Sequence, residues 1–424
     1  LGMVRAWLIF ILCASHLFIS QLYRTTNAVL APWLLEDLSL DTQGLGLLSA
    51  GFFYAFALTQ IPISIFLDKI GAKRIMILLS FIGIAGALMF SMAHGLSLGL
   101  AGRLLLGVGM ACNLMGPLKL LTEWFSPKIF ATLSGLLFAI GTMGNMMSAT
   151  PLVLMVAHLG WRLSFQAIIA FHHLITLALF WIVRDRPKET PLDPEPSGER
   201  RAAGALFGNL AVLMARRDYW IISAGTFVRY GTHAALQTLW AGPLLMEALA
   251  FSPVQAGNIL LLLNVGLILG GPLWGAVSDR FETPKWVIAG GLLLLAMITF
   301  VLRGLPPGTS QLAAGAVFFA FGLISSSGMH VYAHIKALVP KEMAGAAMSG
   351  INFFTMMGPA VFLQGLGIAM QGLYPETSRG PEAFGAALLI CLVCQAVIGG
   401  LYLFTRSKRP CPPDSGDSAD RRVC

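Results

Sequence analysis

The sequence predicts an all-α integral membrane protein with twelve transmembrane helices in two six-helix halves. Three observations predict this class. Of the 424 residues, 56% are hydrophobic and 11% are charged, and the mean hydropathy is +0.76, which excludes an ordinary water-soluble globule. Apolar segments recur along the chain, each long enough to cross about 30 Å of hydrocarbon at about 1.5 Å per residue. One long polar break divides these segments six and six.

Twelve apolar segments are separated by charged or proline-rich turns. They run from 4 to 30, 44 to 67, 75 to 93, 96 to 121, 130 to 156, 161 to 183, 218 to 246, 255 to 277, 285 to 303, 311 to 336, 344 to 372 and 382 to 405. The first three residues show no cleavable-signal pattern, so we expect the first segment to be retained. The six cysteines are scattered and indicate no disulfide framework. Cys391 and Cys394 form a C-x-x-C that is typical of small packing residues inside an apolar helix.

Lysines and arginines in the short loops set the predicted orientation. With the N-terminus inside, the inner loops are basic, whereas the first outer loop carries Glu36, Asp37 and Asp41. We therefore expect both termini to be cytoplasmic and the protein to lie in the inner (plasma) membrane. The net charge of +8 then reflects membrane orientation, and no nucleic-acid partner is expected.

The polar break from 184 to 217 is rich in proline and mixed charge, which predicts a cytoplasmic linker. It separates an N-terminal half, residues 1 to 183, from a C-terminal half, residues 218 to 405. Within the linker, residues 202 to 215 match a short amphipathic helix on the membrane surface. The tail, residues 406 to 424, is predicted to be disordered.

Two short cytoplasmic turns repeat between the halves, at 64 to 74 and at 275 to 285, and each places one aspartate before basic residues. A carboxylate there can accept hydrogen bonds from a neighbouring helix N-terminus or pair with a base on the next helix. We interpret Asp68, Asp279 and Arg280 as gate residues of the closed cytoplasmic side. A plain solvated turn is the alternative.

These turns resemble the loop signature G-x-x-x-D-R-x-G-R-K of the major facilitator superfamily, with Ser64 at the first glycine of one copy and Glu282 at the second glycine of the other. Arg103 begins the sequence RLLLGVG, which resembles the superfamily's fourth-helix motif R-x-x-x-G-x-G, and is interpreted as a structural or gating residue. The Gly-Trp-Arg sequence at 160 to 162 is another common feature. The resemblance covers residues 4 to 405 and implies a twelve-helix transporter that works by alternating access as a monomer.

Arg24 and Arg229 stand in otherwise uncharged parts of the first and seventh predicted helices. A guanidinium keeps its proton, and its placement at the bilayer centre costs at least about 2.5 kcal/mol. None of the 20 Asp and Glu lies near the middle of a predicted helix, so neither arginine has a predicted counter-ion. A planar guanidinium suits carboxylate or phosphate oxygens, which predicts a small organic anion as substrate. Pairing with backbone carbonyls or a helix dipole is the alternative.

The sequence VRYG at 228 to 231 resembles the seventh-helix motif of the organophosphate:phosphate antiporter family, to which the bacterial glycerol-3-phosphate transporter belongs. Tyr23-Arg24 occupies the corresponding first-helix place, and in that family the two arginines meet the substrate phosphate. Related carboxylate transporters also carry a first-helix arginine, so the resemblance implies an anion and leaves phosphate esters and carboxylates open. Further hydrogen bonds at the midplane are predicted for Tyr23, Asn27, Tyr230 and Gln237.

His330 and His334 are spaced i and i+4 and share one face of the tenth predicted helix. Imidazoles there could couple protons or contact the anion, or they could be structural. No third ligand is evident, so no metal is predicted, and no cofactor is expected.

The predicted function is secondary transport of a small organic anion, and the expected partners are that anion and membrane lipid. Anion exchange, proton-coupled carboxylate symport and export of drugs or metabolites remain open as modes. A transporter-like membrane sensor is the alternative from a different class. No constellation of nucleophile and base predicts an enzyme.

Overall fold

The fold is described by a computed structural model that covers residues 2–185, 212–281, 284–340 and 343–407. Its elements are helices throughout these ranges. The N-terminal half contains α1 Gly2–Thr25, α2 Asn27–Asp37, α3 Thr42–Ile70, α4 Ala72–Ser91, α5 Leu96–Met110, α6 Met115–Trp124, α7 Pro127–Met147 and α8 Thr150–Ile182.

The C-terminal half repeats the pattern after the linker. Its α-helices are α9 Arg217–Ala235, α10 Pro253–Phe281, α11 Pro284–Arg303, α12 Gln311–Ser325, α13 Val331–Leu338, α14 Ala344–Leu373 and α15 Pro381–Tyr402. Two π-helical stretches, Leu236–Trp240 and Leu244–Ala248, continue α9 across the turn Ala241–Pro243, and the 3-10 segment Ser326–His330 joins α12 to α13.

These helices form twelve spans, which confirms the predicted fold class. Nine stretches of the described residues are long and apolar enough to cross a membrane. The other three spans are α3, α7 with the start of α8, and α9 with its π-helical continuation. Within α8 the direction changes at Gly160, whose φ of +73° lies in the left-handed region that glycine adopts without steric cost. Gly160 thus separates the fifth span from the sixth.

Several spans are interrupted within their length. The first span breaks at Thr26 between α1 and α2 and extends to Asp37, seven residues beyond the predicted end at 30. The fourth span breaks between Met110 and Met115, and the tenth breaks in the 3-10 segment. Backbone groups that lose their regular helical partners inside a span can be satisfied only where protein or a water-filled cavity surrounds them. The breaks therefore mark the parts of each half that face other protein groups.

The two halves meet on the side that the sequence predicts to be outside. Thr42 and Ser378 share a hydrogen bond between their hydroxyls (2.7 Å), and the Tyr54 hydroxyl donates to Gln364 Oε1 (2.8 Å). The Thr150 hydroxyl donates to Asn258 Oδ1 (2.7 Å). We refer to these three hydrogen bonds as the outer closure.

Close backbone approach supports the outer closure. A Cβ on Gly257 would lie 2.9 Å from Thr150 Cα, and one on Gly242 would collide with the carbonyl of Ala28. Side chains larger than hydrogen would hold the halves apart at both positions. The glycines therefore allow the halves to touch through their backbones.

Several predicted features lie outside the described residues. They are most of the linker, including all but the last few residues of the predicted surface helix, the tail from 408 onward, and the side chains of Asp68 and Asp279. Arg280 is described, and it is exposed near the end of α10. The gate interpretation of these residues remains a prediction.

Candidate functional site

Arg24 lies in the last turn of α1 at the boundary between the halves. Its side chain is 8% exposed. Nη1 donates to the Tyr230 hydroxyl across the boundary (3.0 Å), whereas Nε is buried with no partner. The guanidinium carbon lies 5.0 Å from the ring centroid of Phe56 and 5.6 Å from that of Phe53, so aromatic faces add to its electrostatic support.

Arg229 lies on α9 and is 7% exposed. Its Nη1 donates to the backbone carbonyl of Ser325 (2.7 Å), the last residue of α12. Helix carboxyl ends carry partial negative charge, so this contact offsets part of the buried positive charge. Gly328 makes the room for it, because a Cβ there would overlap the guanidinium.

Tyr230 brings the two arginines to one place. It accepts a hydrogen bond from Arg24, and the guanidinium carbon of Arg229 lies 5.9 Å from its ring centroid. Within the described part of the chain, neither arginine forms an ion pair. Two buried cations without a carboxylate create a strong demand for an anion, since an unpaired buried charge is costly.

Gln237 lies two helical turns beyond Arg229, and its amide nitrogen donates to Asn264 Oδ1 (2.8 Å). A small cavity of about 10 Å³ lies between the halves beside Gln237, with space for about one water molecule. Apart from three apolar residues it is lined by uncharged polar side chains, namely Thr25, Asn145, Ser148, Gln237 and Asn264. An organic anion enters this cavity only if the halves move apart on the outer side.

Two predicted ligands do not join the site. Tyr23 is fully buried inside the N-terminal half, where its ring lies 5.4 Å from that of Phe165 and its hydroxyl has no partner. Asn27 is fully buried, and its amide nitrogen donates to the Ser49 hydroxyl on α3 (2.8 Å). Both side chains face their own half rather than the boundary.

Arg103 on α5 is fully buried and donates from Nη1 to the backbone carbonyl of Tyr23 (3.0 Å). Its guanidinium carbon lies 5.2 Å from the Phe52 ring centroid and 5.6 Å from that of Phe90. This contact ties α5 to the end of α1, immediately before Arg24. The interpretation of Arg103 as a structural or gating residue remains a prediction.

The predicted histidine pair lies towards the inner end of the tenth span. His334 is fully buried, with Nδ1 2.7 Å from the Tyr402 hydroxyl and Nε2 2.9 Å from the carbonyl of Arg406. His330 is half-buried, with Nδ1 3.0 Å from the carbonyl of Ser327. Among the described residues no group of three or more metal-ligating side chains includes them.

His233 was missed by the sequence reasoning. It lies on α9 four residues after Arg229 and four before Gln237, is 2% exposed, and has no hydrogen-bond partner at Nδ1. Its ring stacks on Phe321 at 5.9 Å between centroids. The spacing of Arg229, His233 and Gln237, one face of a helix, was the signal that could have found it.

A larger cavity, of about 310 Å³, lies in the N-terminal half, and neither arginine lines it. Apolar side chains line it, namely Phe18, Leu22, Met147, Leu152, Met155, Ala167, Ile168 and Phe171. An anion gains no hydrogen bond from such side chains, so this cavity does not suit a charged ligand. The arginine site is the better candidate despite its smaller volume.

Comparisons with known proteins identify the family of this chain. The family model described as "Major Facilitator Superfamily" matches residues 12–242 and 222–421. The "Probable sulfoacetate transporter SauU" of Cupriavidus necator is 24% identical over 84% of this chain and 86% of its own length. The "Gallate transporter" of Pseudomonas putida is 23% identical over 91% of each chain.

Solved structures share the architecture. The inward-facing, unoccupied crystal structure of a bacterial homologue of the human lysosomal transporter Spinster superposes with a TM-score of 0.80. That match covers 95% of this chain and 97% of the other at 18% identity. At this level of identity the likeness concerns the fold.

Proposed function

Because this chain belongs to the major facilitator superfamily, we propose that it is a secondary transporter that carries a small organic anion across the membrane by alternating access. One observation carries the proposal: Arg24 and Arg229 converge on Tyr230 at the boundary between the halves. No carboxylate contacts either guanidinium in the described ranges. A site between the halves is reachable from either side in turn.

Carboxylates are the anions that we favour. The two relatives described above are named for sulfoacetate and gallate, and both compounds carry a carboxylate, whose two oxygens match the planar guanidinium fork. The amides and hydroxyls around Gln237 and Asn264 are suited to hydroxyl groups on the substrate. A phosphate ester is the second candidate class, supported by the resemblance of the sequence VRYG at 228 to 231.

We further propose that the protein works as a monomer in the inner membrane, with the linker and both termini in the cytoplasm. The basic inner loops support this orientation. Cysteines placed in the linker should be protected from a membrane-impermeant thiol reagent added to intact cells. Labelling of a linker cysteine from outside would reverse the orientation.

The substrate class is tested by two measurements on the purified protein. A thermal-shift screen against hydroxylated carboxylates, sulfoacetate, gallate and phosphate esters should show stabilisation by carboxylates, because a ligand that binds the folded state raises its stability. The best ligand should then be taken up by proteoliposomes. Stabilisation by phosphate esters alone would exclude the carboxylate preference.

Two alanine variants, one at the candidate site and one away from it, test the role of Arg24. Arg24→Ala should lose both stabilisation by the ligand and uptake. Arg303→Ala, which removes an exposed arginine that donates to the carbonyl of Gly385, should lose neither. Binding without uptake in the parent protein would favour the sensor alternative over transport.

A further inference from the structure

His233 occupies the candidate site but has no role in the anion contacts described so far. One ring nitrogen, Nδ1, is buried without a partner. The imidazole also forms a side-chain hydrogen bond with Gln237, whose amide nitrogen already donates to Asn264. The Gln237 amide oxygen accepts no other hydrogen bond among the described contacts and can accept one from an imidazole N–H. In that arrangement Nδ1 holds a lone pair that faces no donor.

The ring position of His233 is fixed by its neighbours. It stacks on Phe321 of α12, with an interplanar angle of 15°, and lies 6.2 Å from the Tyr230 ring between centroids. Tyr230 in turn accepts the hydrogen bond from Arg24. The free Nδ1 thus belongs to the same cluster as both arginines.

The charges around His233 are positive. Arg229 acts electrostatically on the imidazole. Tyr230, Tyr332 and Tyr402 are ionisable neighbours of Arg229, and Arg24 reaches the cluster through its hydrogen bond to Tyr230. Neither α12 nor α14 contains an Asp, Glu, Lys, Arg, His, Tyr or Cys. On α15, Cys391 and Cys394 add two thiols.

Carboxylates on these elements lie far from the imidazole. Asp218 is fifteen residues before His233 on the same span and Glu247 is fourteen residues after it, each about 20 Å along the helix axis. Glu382 lies in the first turn of α15, thirteen residues before Gln395, which donates to Thr232 beside His233. No described carboxylate is placed to offset a charge on the imidazole.

We propose that His233 binds a proton only together with the substrate anion, so that transport is anion–proton symport. In the empty site a second positive charge one turn from Arg229 is opposed by like-charge repulsion. An anion held by the arginines removes that opposition. By linkage, the proton must then strengthen anion binding by the same factor. This inference rests on the proposed transport function.

A proton from the outer solution forms an N–H bond with the Nδ1 lone pair while the hydrogen bond to Gln237 is kept. After the halves rock, the anion leaves to the cytoplasm and the Nδ1 proton passes to water. Each cycle moves one anion and one proton inward, and nothing is oxidised or reduced.

Proteoliposomes loaded with the pH dye pyranine test the proposal, with gallate and sulfoacetate as separate probes. Adding the transported anion outside should acidify the lumen in the parent protein. In His233→Gln, anion uptake measured at saturating anion should no longer acidify the lumen, because no proton enters with the anion. The matched control is His173→Gln, which alters an exposed imidazole on α8.

Equilibrium binding gives a second measurement on the same proteins. At pH values where His233 is neutral in the unliganded protein, the parent's affinity for the anion should fall about tenfold for each unit rise in pH. This is the slope expected for one linked proton. His233→Gln should bind with little dependence on pH. Should that variant fail to fold, calorimetry of the parent in buffers of different ionisation enthalpy decides, and binding without proton uptake overturns the proposal.

The outcomes separate this inference from the proposed function. Anion uptake by the parent without acidification overturns the symport inference and leaves the transporter standing. Absence of both binding and uptake for the whole panel overturns the transporter. Loss of acidification in His330→Gln or His334→Gln, with His233→Gln unaffected, would move the proton site to the tenth span and overturn the assignment to His233.

Discussion

Arg24 and Arg229 stand at corresponding places in the two halves, but the protein surrounds their charges differently. Arg229 donates to the carbonyl at the carboxyl end of α12, whereas Arg24 has a phenol hydroxyl and aromatic ring faces. The charge of Arg24 is therefore the less compensated. Matching positions in a repeated sequence thus do not imply equal roles, and we expect Arg24 to bind the anion and Arg229 to shape the site as well as bind.

The largest effect is expected for Arg24→Ala. Hydrogen bonds to charged groups contribute roughly 1.5 to 3 kcal/mol, so affinity should fall about ten- to hundredfold. Arg24→Lys should restore only part of it, because lysine keeps the charge but lacks the planar fork. Titration of the purified variants measures the difference. Unchanged binding by a folded Arg24→Ala would make the arginine structural.

Arg229→Ala should weaken binding less and destabilise the protein more than Arg24→Ala. It removes the partner of the Ser325 carbonyl at a buried helix end, and a buried group left unsatisfied costs about 1 to 3 kcal/mol. Thermal unfolding in detergent, measured beside the affinity, separates the two effects. A larger loss of affinity than in Arg24→Ala would reverse the comparison.

Gly328→Ala should disturb the contact of Arg229 with the Ser325 carbonyl without changing the arginine itself. A methyl group overlaps the guanidinium, and overpacking of this kind costs typically about 1 to 3 kcal/mol. The melting temperature and the affinity should both fall. The matched control is Gly365→Ala on α14, whose Cβ would meet nothing within 4 Å and should leave both unchanged.

Tyr230→Phe should produce a smaller change, because it removes a single hydroxyl acceptor from Arg24. A hydrogen bond to a charged group contributes about 1.5 to 3 kcal/mol. The anion can replace the Tyr230 hydroxyl as the partner of the guanidinium. We expect binding to change by less than about tenfold in either direction. A loss as large as that of Arg24→Ala would show that Tyr230 is itself a principal ligand.

The smallest effect on binding is expected for Asp68, which the sequence predicts to be a gate residue. Asp68→Asn should shift the equilibrium away from the outward-open state that a closed cytoplasmic side supports, so transport should slow more than binding weakens. Asp279→Asn should act in the same direction and less strongly, since its turn departs further from the repeated pattern. Normal flux in both variants would leave these residues as solvated turns.

Much of this architecture follows from the sequence, because membrane spans, charge asymmetry and the two buried arginines are signals that need no tertiary contact. Side-chain direction was harder to predict. Tyr23 and Arg24 are neighbours on a helix, and successive residues point about 100° apart, so only one of them faces the other half. The sequence did not predict His233 as a site residue, because its place in the site depends on contacts with Phe321 and Gln237 that form only on packing.

The outer closure is made of uncharged groups. Its three hydrogen bonds join hydroxyls and amides, whereas the outer ion pairs, Arg162 with Asp37 and Arg379 with Glu247, each stay within one half. Dissolved salt screens exposed charges and has little effect on hydrogen bonds between uncharged groups. The described contacts that hold the outer side shut should therefore respond weakly to ionic strength, so that the closed outer side resists leakage equally in dilute and in salty surroundings.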